Sequence, residues 1–285
     1  MVLILLSLGS IVAYTHQNKF MYAYVYKEEM LKEVDSPRII FVGGSNLYYG
    51  LDSRKVKDEL DINVVNYALG LSIGLKYMLD DVELHAKSGD IIVICPEYEQ
   101  FTSHPYGGVP LLDVLLYSDI DNWMTINYSQ FKSIVKEIPY HFKYRLLMTN
   151  QLKDNSTYTI PYNEFGDEIS HLSQLPIACG PIILNENINN DFIKYFHDSV
   201  SRLKALGCKV IVLPPVSVES YYSTNRKTID KIIKTLSQAD VGFYQPVTKA
   251  LLPDSLHYDT FYHVNAEGRD RNTERLITAI KKYLN

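Results

Sequence analysis

The chain predicts an α/β fold, a three-layer α/β/α sandwich built on a central parallel sheet. Three observations predict it. Short runs of Val, Ile and Phe are apolar at nearly every position. They alternate with segments whose apolar residues recur at helical spacing. The runs end at Gly or Pro, which break regular structure. Strands buried on both faces lose the in–out alternation, as in parallel sheets covered by helices.

Residues 38–44 (RIIFVGG) are the first expected strand, and 52–60 (DSRKVKDEL) a short helix capped by Asp52 or Ser53. Residues 63–68 (NVVNYA) are the second strand, ending at Leu69-Gly70. A helix over 73–87 places Leu75, Met78, Leu79, Val82 and Ala86 on one side and stops at Ser88-Gly89. Residues 90–95 (DIIVIC) are the third strand. From 97 to 187 the alternation breaks. This stretch holds Trp123, many Tyr and Asn, and an apolar helical segment over 130–148, and it is expected as a helical insertion over the sheet's edge. The alternation resumes with a helix over 190–206 stopped by Gly207. A fourth strand at 209–213, closed by Pro214-Pro215, is followed by a helix over 225–239 and a short strand at 241–244. The last helix, 266–284, turns Leu276, Ile277, Ile280 and Leu284 inward.

Residues 2–14 (VLILLSLGSIVAY) are almost wholly apolar, shorter than the roughly twenty residues a spanning helix needs. With no basic stretch before them and no A-x-A site after, residues 1–20 read as a membrane anchor rather than a cleaved signal. The competing reading is a buried N-terminal helix. Residues 21–37, polar and Tyr-rich, read as a stalk, leaving 38–285 as one α/β domain.

Composition sets outer bounds. The 285 residues are 46% apolar, enough for a substantial core, and carry a net charge of −5, which argues against a dedicated nucleic-acid binder. Cys95, Cys179 and Cys208 form no C-x-x-C, so neither a zinc ribbon nor a redox pair is expected. Cys95 and Cys208 read as small buried hydrophobes, a disulfide between them being the lesser reading.

Two stretches carry chemistry. Gly43-Gly44-Ser45-Asn46 follows the first strand, at the carboxyl edge where open parallel sheets bind ligands. There Ser45 is either a presented nucleophile or a capping serine. No G-x-S-x-G elbow, Walker Lys or G-x-G-x-x-G register accompanies it. Near the other end, Asp259 and His263 share a loop before the last helix. A serine hydroxyl becomes a useful nucleophile when an imidazole takes its proton and a carboxylate fixes that imidazole. A doubly wound sheet can bring the two ends together, since its first strand is central. The plain alternative is that His263 packs beside the last helix.

Together these pieces resemble the SGNH/GDSL hydrolase superfamily, over residues 38–96 and 208–284. Gly43-Gly44-Ser45-Asn46 resembles its nucleophile block, Asn66-Tyr67-Ala68-Leu69-Gly70 the block whose glycine N–H helps bind the oxyanion, and Asp259 to Gly268 the block with the acid and the base. The resemblance implies a flavodoxin-like sheet and catalysis by Ser45, Asp259 and His263. It also implies a serine esterase or O-acyltransferase working without cofactor or metal. The expected substrate is an acylated extracytoplasmic polysaccharide or a small ester, the expected partners the membrane, through the N-terminal segment, and a membrane-bound acyltransferase. Two departures stand out. Where the superfamily usually has Gly-x-Asn-Asp, this chain has Pro96-Glu97-Tyr98-Glu99-Gln100, and an ionised carboxylate cannot donate to an oxyanion. Gly44, Asn46, Gly70, Tyr98 and Asn163 are therefore the oxyanion or substrate-binding candidates, with Gln100 beside them. The acid–base spacing is one residue longer than Asp-x-x-His, while Asp254-Ser255-Leu256-His257 fits that spacing literally. A binding protein that retains the scaffold without turnover is the competing function.

Overall fold

The computed structural model describes residues 19–116, 118–148, 162–177 and 179–285. Four parallel strands form the central sheet: β1 (Arg38–Gly43), β2 (Asn63–Ala68), β3 (Ile91–Cys95) and β4 (Lys209–Val212), in the order β2-β1-β3-β4. Around them run α1 (Lys19–Glu33), α2 (Ser45–Gly50), α3 (Ser53–Leu60), α4 (Leu75–His85), α5 (Val109–Leu115), α6 (Ile120–Met124) and α7 (Tyr128–Met148). The remaining helices are α8 (Asn190–Ala205), α9 (Glu219–Gln238) and α10 (Ala266–Leu284). Two residues each of β5 (Ser217–Val218) and β6 (Leu251–Leu252) pair separately.

Every β1 residue is buried, as its unbroken apolar run requires. Its side chains divide by parity. Ile40 and Val42 join the core beneath α4, α8 and α9, and Ile39 and Phe41 join that beneath α2, α3 and α10. Helices thus cover both faces, an arrangement compatible with three layers. α3 begins where the capping chemistry puts it, with Asp52 Oδ1 accepting the Lys55 N–H. Cys95 and Cys208 are buried and all three cysteines are free.

The structure corrects three expectations. Residues 21–37 do not lead away from the domain. Most of them lie in α1, which lies against β2 and α5 and buries Tyr24, Leu31 and Lys27. Arg38 clamps its carboxyl end, donating to the Leu31 (2.7 Å) and Val34 (2.9 Å) carbonyls while paired with buried Asp90. Residues 241–244 form no strand. One bond, Tyr244 N–H to Val212 O at 2.8 Å, ties them to the sheet, and one bond is not a ladder. α9 begins at Glu219, six residues before the expected start. Among the described residues no helix is long and apolar enough to cross a membrane, and of the segment read as an anchor, 1–20, residues 1–18 lie outside them.

Candidate functional site

Register builds the site. Gly43 pairs with Ala68 on one side and Cys95 on the other. Two residues beyond each of these come Ser45, Gly70 and Glu97, three residues that the parallel sheet brings to one level at its carboxyl edge. All three line a cleft of about 290 Å³, with Tyr48, Tyr49, Glu99, Tyr221, Tyr262 and His263 among its other walls. The chain's two ends therefore meet, as the pairing of Ser45 with a distant imidazole requires.

His263 and Asp259 are joined directly, Nδ1 to Oδ1 at 2.6 Å. The extra residue between them is taken up by a turn in which Thr260 Oγ1 accepts the N–H groups of Tyr262 (3.3 Å) and His263 (3.1 Å). Burial pushes the Asp259 carboxyl up, but the His263 ring outweighs it and holds the group below its ordinary value. The imidazole lies against Tyr49, ring centres 4.1 Å apart. Asp254 and His257 form no such pair. Asp254 Oδ1 accepts from Ser220 at the start of α9, and His257 faces backbone carbonyls of Asp254 and Ile177.

Ser45 opens α2, and its hydroxyl donates to Glu97 Oε1 at 2.9 Å. The same oxygen accepts the Asn46 N–H at 2.8 Å. Among the described residues no hydrogen bond joins Ser45 to His263. Glu97 is fully buried, and among the described residues its Oε2 has no hydrogen-bond partner. Burial pushes its carboxyl up to about 8 and neighbouring Glu99 adds to the rise, against the pull of the Asn46 and Ser45 bonds. Near neutrality it is chiefly the uncharged acid. Gly44 is required here, because a Cβ would stand 2.5 Å from the Glu97 carboxyl. Glu99 accepts from the Tyr221 (2.7 Å) and Tyr262 (2.8 Å) hydroxyls.

The expected oxyanion candidates separate. Gly70 lines the cleft. Asn46 is buried, its Nδ2 donating to Cys95 O at 3.2 Å. Tyr98 is buried against Phe243, away from the cleft lining. Asn163 belongs to a turn, its Nδ2 donating to Asp167 Oδ2 (3.0 Å) and its Oδ1 accepting the Phe165 and Asp167 N–H groups. Sequence reading missed Tyr49, Glu99, Tyr221 and Tyr262. Only the two acids in alternate positions after β3 offered a signal.

Among the described residues, Glu28, Asp81 and His85 could hold a metal. They lie on α1 and α4, outside the cleft lining, and their carboxylates are engaged by Lys32 and Asn122. No family model, curated protein or solved structure matches the chain.

Proposed function

We propose that the chain is an SGNH-like serine esterase or O-acyltransferase, with Ser45 as nucleophile, His263 as general base and Asp259 fixing the imidazole. The observation that carries this reading is that His263, bonded to Asp259 at 2.6 Å, lines one cleft with Ser45, 218 positions away in sequence. In the resting arrangement Ser45 is bonded to Glu97. For reaction Oγ leaves Glu97 for the His263 imidazole across the cleft, and His263 takes the hydroxyl proton as Oγ adds to the acyl carbon. Collapse of the adduct breaks the acyl–oxygen bond, and the leaving alcohol takes the proton from the imidazolium. Water or a second hydroxyl then attacks the acyl-enzyme. Gly70's N–H serves the developing oxyanion. Glu97, uncharged, accepts at Oε1 as an amide carbonyl would and spares the developing oxyanion a carboxylate's repulsion, while leaving the donor role of the superfamily's third-block Asn to Gly70. Tyr-rich walls suit a sugar face, and the apolar 2–14 segment suits a membrane-anchored, extracytoplasmic setting beside a membrane-bound acyltransferase.

Labelling by a fluorophosphonate tests this. The native chain should be labelled, and Ser45→Ala and His263→Ala should each lose labelling while remaining folded. The second reading, a glycan-binding protein without turnover, is favoured by the Ser45–Glu97 bond standing where a Ser–His bond would be expected. A folded native chain that takes up no label but binds acylated glycan, unchanged by Ser45→Ala, would establish that reading instead.

A further inference from the structure

The side of the molecule formed by α6 and α7 carries an apolar stripe without a partner among the described residues. Ile120, Met124, Tyr128, Phe131 and Val135 are 47% to 79% exposed. Their spacing keeps one face, four residues apart on α6 and three then four on α7. The other side of α7 faces inward through buried Gln130 and Ile134. Beside the stripe stand exposed Lys132 and Lys136. They form a local basic pair in a chain whose net charge is −5. α6 carries exposed Asp121, so the basic contribution comes from α7. An apolar stripe edged by lysines is the pattern of a helix lying in the headgroup region of a bilayer. A large apolar patch on a soluble domain marks an interaction site.

Two bonds tie this face to the helix that follows the apolar 2–14 segment. Asn122 on α6 donates to the Tyr24 hydroxyl on α1 at 3.3 Å, and Lys32 on α1 pairs with Asp119, the residue before α6, at 2.8 Å. Among the described residues no helix can cross a bilayer, so contact through this face would be of the lying kind. We propose that the α6–α7 face is a bilayer-docking surface, seating the domain on anionic phospholipid through the apolar stripe and the α7 lysines. This goes beyond the esterase reading and does not depend on it.

The chain supplies its own probe. Trp123, the single tryptophan, sits on α6 between Ile120 and Met124, half-buried, its Nε1 donating to Leu115 O at 2.6 Å. The full chain would be titrated with neutral vesicles and with phosphatidylglycerol-rich vesicles, each with and without brominated acyl chains. Brominated anionic vesicles should quench Trp123, with quenching weakened by salt. Lys132→Glu and Lys136→Glu should each lower affinity by about fivefold or more. Phe131→Asp combined with Val135→Asp should abolish quenching while circular dichroism stays unchanged. Absence of quenching for a chain that still cosediments with the vesicles would overturn the proposal, since the domain would then hang clear of the surface. So would a dimer in solution that Phe131→Asp dissociates, again without quenching, because the stripe's occupant would be a second copy.

Discussion

Asp167 and Glu97 are both fully buried carboxyls near the carboxyl edge of the sheet, and their surroundings are opposite. Asp167 Oδ1 accepts from Ser53 Oγ (2.6 Å) and Asn66 Nδ2 (2.9 Å). Its Oδ2 accepts from the Ser53 N–H (2.9 Å) and Asn163 Nδ2 (3.0 Å), with the Arg269 guanidinium at 3.5 Å. The carboxylate is surrounded by donors and faces a cation. Glu97 takes the Ser45 hydroxyl and the Asn46 N–H on Oε1, and among the described residues it faces no cation and has an acid, Glu99, for a neighbour. A buried charge is tolerated when paired and bonded. An acid without a cation keeps its proton instead. The first group therefore holds the insertion to the domain, and the second stays uncharged beside the candidate nucleophile.

The largest expected effect falls on the satisfied group. Asp167→Ala leaves the buried Ser53 and Asn66 donors without their acceptor and removes one of the two carboxylates beside Arg269, and should cost about 3–5 kcal/mol in urea unfolding. A loss under about 1 kcal/mol would break the comparison, since the bonds would then hold nothing together.

Glu97→Gln should show the opposite behaviour. Gln keeps the Oε1 acceptor and carries no titrating proton. Glu97's folded pKa is raised, from 4.5 to about 8. Between those values the folded chain holds a proton that the unfolded chain has released. Native stability therefore falls as pH rises through this window, by roughly 4 kcal/mol at its upper end. The Gln variant should lack that fall and should retain fluorophosphonate labelling. Parallel pH–stability curves for the two proteins would show that Glu97 is ionised in the fold. Loss of labelling in a folded Gln variant would make Glu97 the base in place of His263.

Lys27 sharpens the comparison from the cationic side. It is fully buried on α1, donates to Ala68 O at 2.5 Å, and lies near enough to Asp167 and Glu168 to be steadied by both. Burial nevertheless pushes its ammonium down to about 7. Here the unfolded chain binds the extra proton between about 7 and 10.5, so stability rises with pH over that window. Lys27→Met should abolish the rise. At neutral pH it should cost about 1–2 kcal/mol, because the Ala68 carbonyl loses its donor. A persistent rise in the variant would assign that window to another group.

These contrasts also mark what the sequence could show. β1 and β3 were legible because burial on both faces leaves a nearly continuous apolar run. Asp259 and His263 were legible because they are local. The Ser45–Glu97 bond was not, because the two residues are 52 positions apart and meet only through the Gly43–Cys95 register. α1 was misread as a stalk for a related reason. A lysine among tyrosines signals solvent, and only the fold supplies the Ala68 carbonyl and the two acids that let Lys27 be buried.

Asn163 gives the smallest effect and the sharpest test of a sequence expectation. Read from sequence, it is a lid residue that lends an N–H to the oxyanion. In the structure its amide is spent within the 163–167 turn, presenting Asp167 to Ser53 and Asn66, and it is absent from the cleft lining. Asn163→Ala removes three part-buried turn hydrogen bonds, whose N–H groups water can partly take over. It should therefore cost about 1 kcal/mol of stability and leave turnover of a small acetyl ester essentially unchanged. An oxyanion donor behaves differently, since its removal lowers kcat by roughly a hundredfold or more without a matching loss of stability. Measuring both quantities on one variant separates the roles. A large fall in kcat with unchanged unfolding would return Asn163 to the site and require the insertion to close over the cleft during turnover.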